Sequence, residues 1–123
     1  MLPPLHKQLL GKHGEDLAVS HLTRHGYRII DRNFKARYGE LDIICVKDNT
    51  LVFVEVKTRV GSAFGTPEEA VTPKKLHEVI KTAQYYIVGH KGLPEALRID
   101  VIGIQLDEAQ KIVSFRHIEN VTG

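Results

Sequence analysis

Three charged residues lie in two neighbouring apolar segments of the chain. Asp42 belongs to the first segment, and Glu55 belongs to the second, with Lys57 two residues beyond it. Proteins commonly hold Mg²⁺ with one or two carboxylates, together with water and phosphate oxygens. These residue types can therefore form a divalent-metal site with a cation beside it, provided that the fold brings them together.

A tight turn between the two segments would bring them together. The sequence predicts strands from Glu40 to Lys47 and from Thr50 to Thr58, and only Asp48-Asn49 separates them. Both turn residues tolerate the left-handed backbone that a two-residue hairpin requires. We therefore expect the two strands to pair in an antiparallel hairpin.

The register of this hairpin predicts which side chains meet. Extending the pairing outward from the turn places Asp42 opposite Glu55, and opposed side chains share a face with Cβ atoms about 5 Å apart. Lys57 and Glu40 have the same parity, so they should project from that face too. The turn thus predicts that three acids and one lysine converge.

The rest of the hairpin is apolar on both predicted faces. The face with the acids carries Ile44, Val46, Leu51 and Phe53, and the other carries Leu41, Ile43, Val52, Val54 and Val56. Opposed carboxylates repel and are costly to desolvate in such a sheet, and a hard divalent cation would compensate for both effects. The alternative is an exposed set of ion pairs at the strand ends, in which Lys57 neutralises the acids. The hairpin alone leaves both interpretations open.

The elements that must position this hairpin follow from periodicity and turn signals. The chain of 123 residues, 42% of them hydrophobic, fits one domain. The predicted elements are a helix from about Gly11 to His25, a strand Tyr27 to Phe34, the hairpin, a loop Val60 to Pro67, a helix capped by Thr72 and running from Pro73 to Gly89, and strands Leu97 to Leu106 and Lys111 to Ile118. The strand–helix–strand passage implies one parallel pairing.

Composition excludes several classes of protein. No apolar stretch is long enough to span a membrane, and Met1 to Leu10 lacks the features of a signal peptide, so we expect a cytoplasmic protein. Cys45 is the sole cysteine and lies in an apolar run, which predicts a core residue and no disulfide. The formal net charge of +2 is compatible with a nucleic-acid partner without requiring one.

The acidic residues also belong to a longer pattern. Asp42 followed by Glu55-Val56-Lys57 resembles the signature of the restriction-endonuclease-like superfamily, an aspartate on one strand and Glu-x-Lys on the next. Further matches are Gly14-Glu15, Gly39-Glu40-Leu41-Asp42, Leu51 to Arg59 (LVFVEVKTR), Phe64-Gly65, Arg98-Ile99-Asp100 and His117-Ile118-Glu119-Asn120. Together they resemble the YraN-type family of bacterial proteins, over about residues 11–120.

This resemblance implies an α/β fold with an αβββαβ core, a mixed central sheet flanked by helices, similar to Holliday-junction resolvases. It implies that Asp42, Glu55 and the carbonyl of Val56 bind Mg²⁺ or Mn²⁺, and that Lys57 positions or activates the attacking water. Glu15 matches a helical glutamate that contributes in some branches. Its spacing from Ala18 and Leu22 is consistent with an inward direction.

The expected activity is hydrolysis of phosphodiester bonds in DNA, structure-selective or nonspecific, with RNA left open. Arg37, Arg59, Lys74 and Lys75 are the candidate backbone contacts, which position nucleic acid without reading its sequence. Glu40 is a second-tier acid for a second metal. The alternative function is a nucleic-acid-binding or partner-binding module with little turnover. A homodimer is compatible with the resemblance.

Other patterns point to ordinary structural roles. His21 and His25 have zinc-binding spacing but lack the intervening glutamate of a metalloprotease motif. The glycine-rich stretch Gly61 to Thr66 has no phosphate-loop lysine, so no nucleotide cofactor is expected. Arg98 and Asp100 predict an internal salt bridge, and Tyr85-Tyr86 predicts helix packing. Gln84 matches a helical glutamine of some related nucleases at this single position.

Overall fold

The computed structural model describes residues 4–61 and 65–123, with the backbone alone for residues 4–7. Its elements are α1 (Pro4–Arg24), β1 (Arg28–Ala36), β2 (Gly39–Lys47), β3 (Thr50–Val60), a short 3-10 helix (Glu68–Ala70), α2 (Pro73–Gly89), β4 (Ala96–Leu106) and β5 (Ile112–Ile118). Residues 62–64, which include the centre of the predicted loop and Phe64 of the family pattern, lie outside the described residues.

The five strands form one sheet in the order β1-β2-β3-β4-β5. The β3–β4 pair is parallel, and the other three pairs are antiparallel. The predicted α/β class, the element order and the parallel pairing are confirmed, and this order is consistent with a restriction-endonuclease-like αβββαβ core with one added strand. A chain that alternates in this way must cross over through α2 to make the parallel pair.

The second helix begins as the sequence predicts. Thr72 caps it, and its hydroxyl accepts a hydrogen bond from the Lys75 N–H at 3.2 Å. Pro73 follows at the first helical position, where its missing N–H costs nothing. The first helix starts earlier than predicted, at Pro4 rather than near Gly11. No helix within residues 4–61 and 65–123 is both long and apolar enough to cross a membrane.

The hairpin has the predicted turn and the predicted register. Asp48 and Asn49 have φ angles of 48° and 62°, the left-handed backbone that the two-residue turn needs. Pairing then runs outward from Lys47 and Thr50 to Ile43 and Val54.

The sheet buries one apolar cluster under each helix. Under α1 lie Ala18, Leu22, Ile43, Cys45, Val52, Val54, Ile102 and Ile104, and under α2 lie Leu41, Ile44, Leu51, Phe53, Val79, Ala83 and Tyr86. Most hairpin residues are on the predicted faces, and Cys45 is buried as expected. The placement of Leu41 on the same face as Ile43 was wrong, because Leu41 packs with Ile44 under α2. The alternation of β2 is broken between these residues, at Asp42.

Candidate metal centre

The candidate centre lies where β2 and β3 stop pairing. Past Ile43 and Val54 the regular backbone ladder ends. The carboxylate of Asp42 instead accepts a hydrogen bond from the Val56 N–H, at 2.8 Å from Oδ2. A side chain has taken the place of a backbone acceptor, which explains why Leu41, the residue before Asp42, lies on the other face.

The two acids predicted to meet lie at this fork, where Glu55 is buried and Asp42 is half-buried. Glu55 is only 6% exposed. Burial raises the pKa of the Glu55 carboxyl, and the neighbouring Asp42 charge raises it further. Burial also raises the pKa of Asp42, although the hydrogen bonds from Val56 and from Glu55 oppose this shift. Two carboxyl groups that hydrogen-bond to each other in a desolvated site retain a proton to relieve their repulsion.

One oxygen of this pair lacks any partner. Glu55 Oε2 is buried and accepts no hydrogen bond from the described part of the chain. Its other oxygen, Oε1, lies 3.6 Å from the Lys75 Nζ atom. An unsatisfied buried carboxylate oxygen costs on the order of 1–3 kcal/mol, so such an atom calls for a ligand. A half-buried aspartate, a buried glutamate and an oxygen without a partner among the described residues fit a hard divalent cation.

Helix α1 brings a third acid towards the fork. A Cβ atom on Gly14 would lie 1.8 Å from the Thr58 hydroxyl, so only glycine lets the helix approach β3 this closely. The next residue is Glu15, whose pKa is raised to about 7. Burial is the largest cause and the Asp42 charge the next, while the Arg32 guanidinium, 3.9 Å away, lowers it. Glu15 is therefore close enough to Asp42 for the two charges to interact.

The other predicted site residues are half-buried or exposed. Glu40 is half-buried, and its charge raises the pKa values of both Glu15 and Asp42. Lys57 is exposed on β3. Among the nucleic-acid candidates Arg37 and Lys74 are exposed and Arg59 is half-buried, and Gln84 is exposed on α2.

The cation that contacts the buried glutamate is Lys75, which the sequence predicts only as a backbone contact for nucleic acid. The spacing of Lys75 from the apolar residues of α2 could have indicated that it faces the sheet. Lys75 precedes the buried Val79 by four residues, so the two side chains project from the same face of α2. That face covers the side of the sheet where Phe53 and Glu55 lie. The helix therefore supplies a positive charge to the site.

A second cluster of candidate ligands lies on β4 and β5. Asp100, His117 and Glu119 each offer one ligand atom, and these atoms lie within 4.8 Å of one another. Asp100 is fully buried, and it accepts hydrogen bonds from Arg98 Nε and Nη2, both at 2.9 Å, from His117 Nε2 at 2.8 Å and from the Asn120 N–H at 3.0 Å. The predicted Arg98–Asp100 salt bridge is confirmed. This carboxylate, unlike that of Glu55, has its partners.

Comparison with known proteins agrees with the motif. A family model described as uncharacterised protein family UPF0102 matches residues 14–104. UPF0102 proteins from Syntrophomonas wolfei and Alkaliphilus oremlandii are 44% and 46% identical to this chain, and each alignment covers 90% of this chain and 95% of the relative. One from Geobacter sulfurreducens is 48% identical over 82% of this chain and 79% of its own length. The chain therefore belongs to the UPF0102 family, the YraN-type family that the motifs resemble.

Proposed function

We propose that this member of the UPF0102 family is a metal-dependent nuclease that hydrolyses phosphodiester bonds in DNA, without reading base sequence. The observation that carries the proposal is the buried Glu55 Oε2 atom, which has no hydrogen-bond partner among the described residues and belongs to the same site as the Asp42 carboxylate. Such an atom costs stability unless something binds it, which supports a ligand at this position.

Asp42 and Glu55 would hold Mg²⁺ or Mn²⁺, and the resemblance adds the Val56 carbonyl as a third ligand. The metal supplies a Lewis acid for the phosphate and lowers the pKa of a bound water. The hydrogen bond from the Val56 N–H fixes the Asp42 carboxylate at the fork. A ligand held in advance loses less conformational entropy when the metal binds.

The cations of the site would balance the charge that develops on the phosphate. Lys75 contacts Glu55 at 3.6 Å and projects from the helix that covers this face. Lys57 is exposed two residues beyond Glu55, so it can extend towards a phosphate outside the fork. Preorganised positive charges at a developing negative charge stabilise a transition state more than a ground state. Glu15 adds a third carboxylate in the field of Asp42.

The surface near the fork suits a nucleic-acid backbone. Arg37 lies in the turn between β1 and β2 beside the exposed Tyr38, and the Lys81 Nζ atom lies 5.9 Å from the same ring. Lys74 is exposed in the first turn of α2. These cations can neutralise phosphates, and such contacts carry no sequence information. Cleavage should therefore depend on DNA structure or be nonspecific.

The test is a cleavage assay on linear, nicked and four-way-junction DNA in Mg²⁺, Mn²⁺ or EDTA. The wild-type protein should cut at least one substrate in a metal-dependent manner, and an Asp42→Asn, Glu55→Gln double variant should lose at least about a hundredfold in rate. Glu95→Gln, which changes an exposed carboxylate in the turn before β4, is the matched control and should cut as the wild type does. The proposal fails if the wild type and the double variant cut every substrate at the same rate.

One observation favours a second candidate, a DNA-binding module with little turnover. The Lys75–Glu55 ion pair partly neutralises the site without any metal. In that case the protein would bind the same DNA with equal affinity in Mg²⁺ and in EDTA, and the double variant would bind as the wild type does. A nuclease should instead show DNA affinity that depends on both the metal and the two acids.

A further inference from the structure

Two histidines, His21 and His117, connect the C-terminal part of α1 with β5, the last strand. The His21 Nε2 atom lies 3.3 Å from the His117 Nδ1 atom. His21 follows Glu15 by six residues on the helix, which is about 9 Å along its axis. The pair is therefore separate from the candidate metal centre, and the proposed nuclease function does not use it.

The hydrogen bonds around His117 decide which ring nitrogen carries a proton. His117 Nε2 lies 2.8 Å from an Asp100 carboxylate oxygen. Burial alone would raise the pKa of Asp100, but the hydrogen bonds from His117 and Arg98 outweigh it and lower the pKa. An ionised carboxylate only accepts hydrogen bonds, so His117 Nε2 must be the N–H donor. In the neutral ring, Nδ1 then keeps its lone pair and accepts a hydrogen bond from His21 Nε2–H. A bound metal ion would replace this hydrogen bond once His21 carries its proton on Nδ1.

This arrangement matches the second shell of a metal-bound histidine. Histidines that bind a metal through one nitrogen commonly donate the other N–H to a carboxylate, which fixes the tautomer and the ring orientation. Zn²⁺–nitrogen bonds are about 2.0–2.1 Å long, so two ligands in a tetrahedral site are about 3.3–3.4 Å apart. The two facing nitrogens of His21 and His117 are at that separation.

We propose that His21 Nε2 and His117 Nδ1 bind a Zn²⁺-class transition-metal ion between α1 and β5, with Asp100 as the positioning residue behind His117. Asp100 already accepts four hydrogen bonds, so it acts through His117 rather than as a ligand. Water completes the coordination. The ion would tie the first helix to the last strand of the sheet.

The surroundings of His21 favour the neutral, metal-binding form of its ring. Burial lowers the pKa of His21, and the neighbouring His25 and His117 lower it further. The ring is also held in place, because the Phe115 and His25 ring centroids lie 4.7 Å and 4.2 Å from its own. A neutral and restrained imidazole is the form that binds late first-row transition metals.

The test uses Co²⁺ as the probe and Zn²⁺ as its competitor. The untagged Asp42→Asn, Glu55→Gln variant serves as the background, so that the hard-metal centre does not bind the probe. After equilibrium dialysis we expect about one Co²⁺ per chain by metal analysis, and Zn²⁺ should displace it. Adding His21→Ala should weaken binding at least about tenfold, and adding His77→Ala, which changes an exposed histidine on α2, should leave it unchanged.

The His21→Ala variant keeps both partners of the His117–Asp100 hydrogen bond, so we expect it to fold. Circular dichroism should confirm that weaker metal binding by this variant is not due to unfolding. A second variant, Asp100→Asn, should weaken the metal while both ligands remain. The proposal is overturned if the background binds no Co²⁺ that Zn²⁺ displaces, or if His21→Ala binds the ion as tightly as the background does. Because the readout is binding in a background without the Asp42 and Glu55 acids, this result is independent of whether the protein cuts DNA.

Discussion

Replacing Glu55 with glutamine should stabilise the metal-free protein at neutral pH. The pKa of Glu55 is raised from its ordinary value of 4.5 by burial and by Asp42. Above pH 4.5 the unfolded chain has lost this proton while the folded protein still holds it. At pH values between the unfolded and the folded pKa of Glu55, the folded state binds more protons than the unfolded state. The free energy of unfolding therefore falls as the pH rises from the lower pKa to the higher one.

The size of the penalty follows from the pH at which stability is measured. A pH of 7 lies about 2.5 pH units above 4.5, the ordinary pKa of the carboxyl in the unfolded chain. Keeping Glu55 protonated in the folded protein at this pH therefore costs at most about 3 kcal/mol. A glutamine amide would also be buried with imperfect hydrogen bonds, which costs about 1–2 kcal/mol. The net gain expected for Glu55→Gln is about 1–2 kcal/mol, or about 5 °C in melting temperature.

The assay is urea unfolding in EDTA at pH 6, 7 and 8. The free energy of unfolding of Glu55→Gln should exceed that of the wild type, and the difference should grow with pH. Glu95→Gln, at an exposed position, should follow the wild type at every pH. Adding Mg²⁺ or Mn²⁺ at about a hundred times the dissociation constant should stabilise the wild type by about 2.7 kcal/mol and Glu55→Gln by much less.

Two results would refute this reasoning. If Glu55→Gln were less stable than the wild type in EDTA at pH 8, the buried carboxyl would be contributing to stability and the site would be a structural ion pair with Lys75. If the metal stabilised the wild type and the variant equally, the ion would bind elsewhere. Either outcome removes the physical basis for a metal at Glu55.

Three further changes test neighbouring parts of the structure. Gly14→Ala places a Cβ 1.8 Å from the Thr58 hydroxyl on β3, so it should lower the free energy of unfolding in urea by about 1–3 kcal/mol and reduce the cleavage rate. Its control, Gly11→Ala, has nothing within 4 Å of the new Cβ and should leave the stability unchanged or slightly raised. Lys75→Ala removes the ion pair of the centre and should lower the cleavage rate, whereas Lys74→Ala should only reduce the salt dependence of DNA binding, by about one unit of slope. The buried Cys45 has a pKa raised to about 12 by burial, so a thiol reagent should modify it in urea and not in the native protein.

The hairpin shows how far local sequence determines this structure. Asp48 and Asn49 adopt the left-handed conformation that their side chains tolerate, and a two-residue turn leaves one register for the strands that it joins. The approach of Asp42 and Glu55 at the open end of the hairpin follows from that register, because each is the next residue after the last pair, Ile43 and Val54. The start of α2 was also predictable from local sequence, because Thr72 caps the helix and Pro73 occupies its first position. The element order likewise follows from signals within each segment.

What the sequence could not predict depends on contacts between distant segments. Leu41 changes face because the Asp42 side chain replaces a backbone acceptor for the Val56 N–H, and strand periodicity does not contain such an exchange. Lys75 contacts Glu55 only because α2 packs over that part of the sheet. Tyr85 was expected to pack with Tyr86, yet Tyr85 is 57% exposed while Tyr86 is 3% exposed. The positions of Lys75 and Tyr85 both depend on the direction in which α2 docks on the sheet, and the sequence does not give that direction.

Two buried carboxylates of the described residues, Asp100 and Glu55, differ in how the protein compensates their charge. Asp100 is fully buried and accepts four hydrogen bonds, two of them from Arg98, so its charge is compensated within the protein and its pKa is lowered despite burial. Glu55 is nearly as buried, yet its one cation, Lys75, lies 3.6 Å away, one of its oxygens has no partner among the described residues, and its pKa is raised. Under the proposed function, the unsatisfied oxygen of Glu55 is the atom that a metal would contact, beside the Asp42 carboxylate. The proposal therefore depends on the missing partner at Glu55 together with its acidic neighbour, and not on the presence of acids alone.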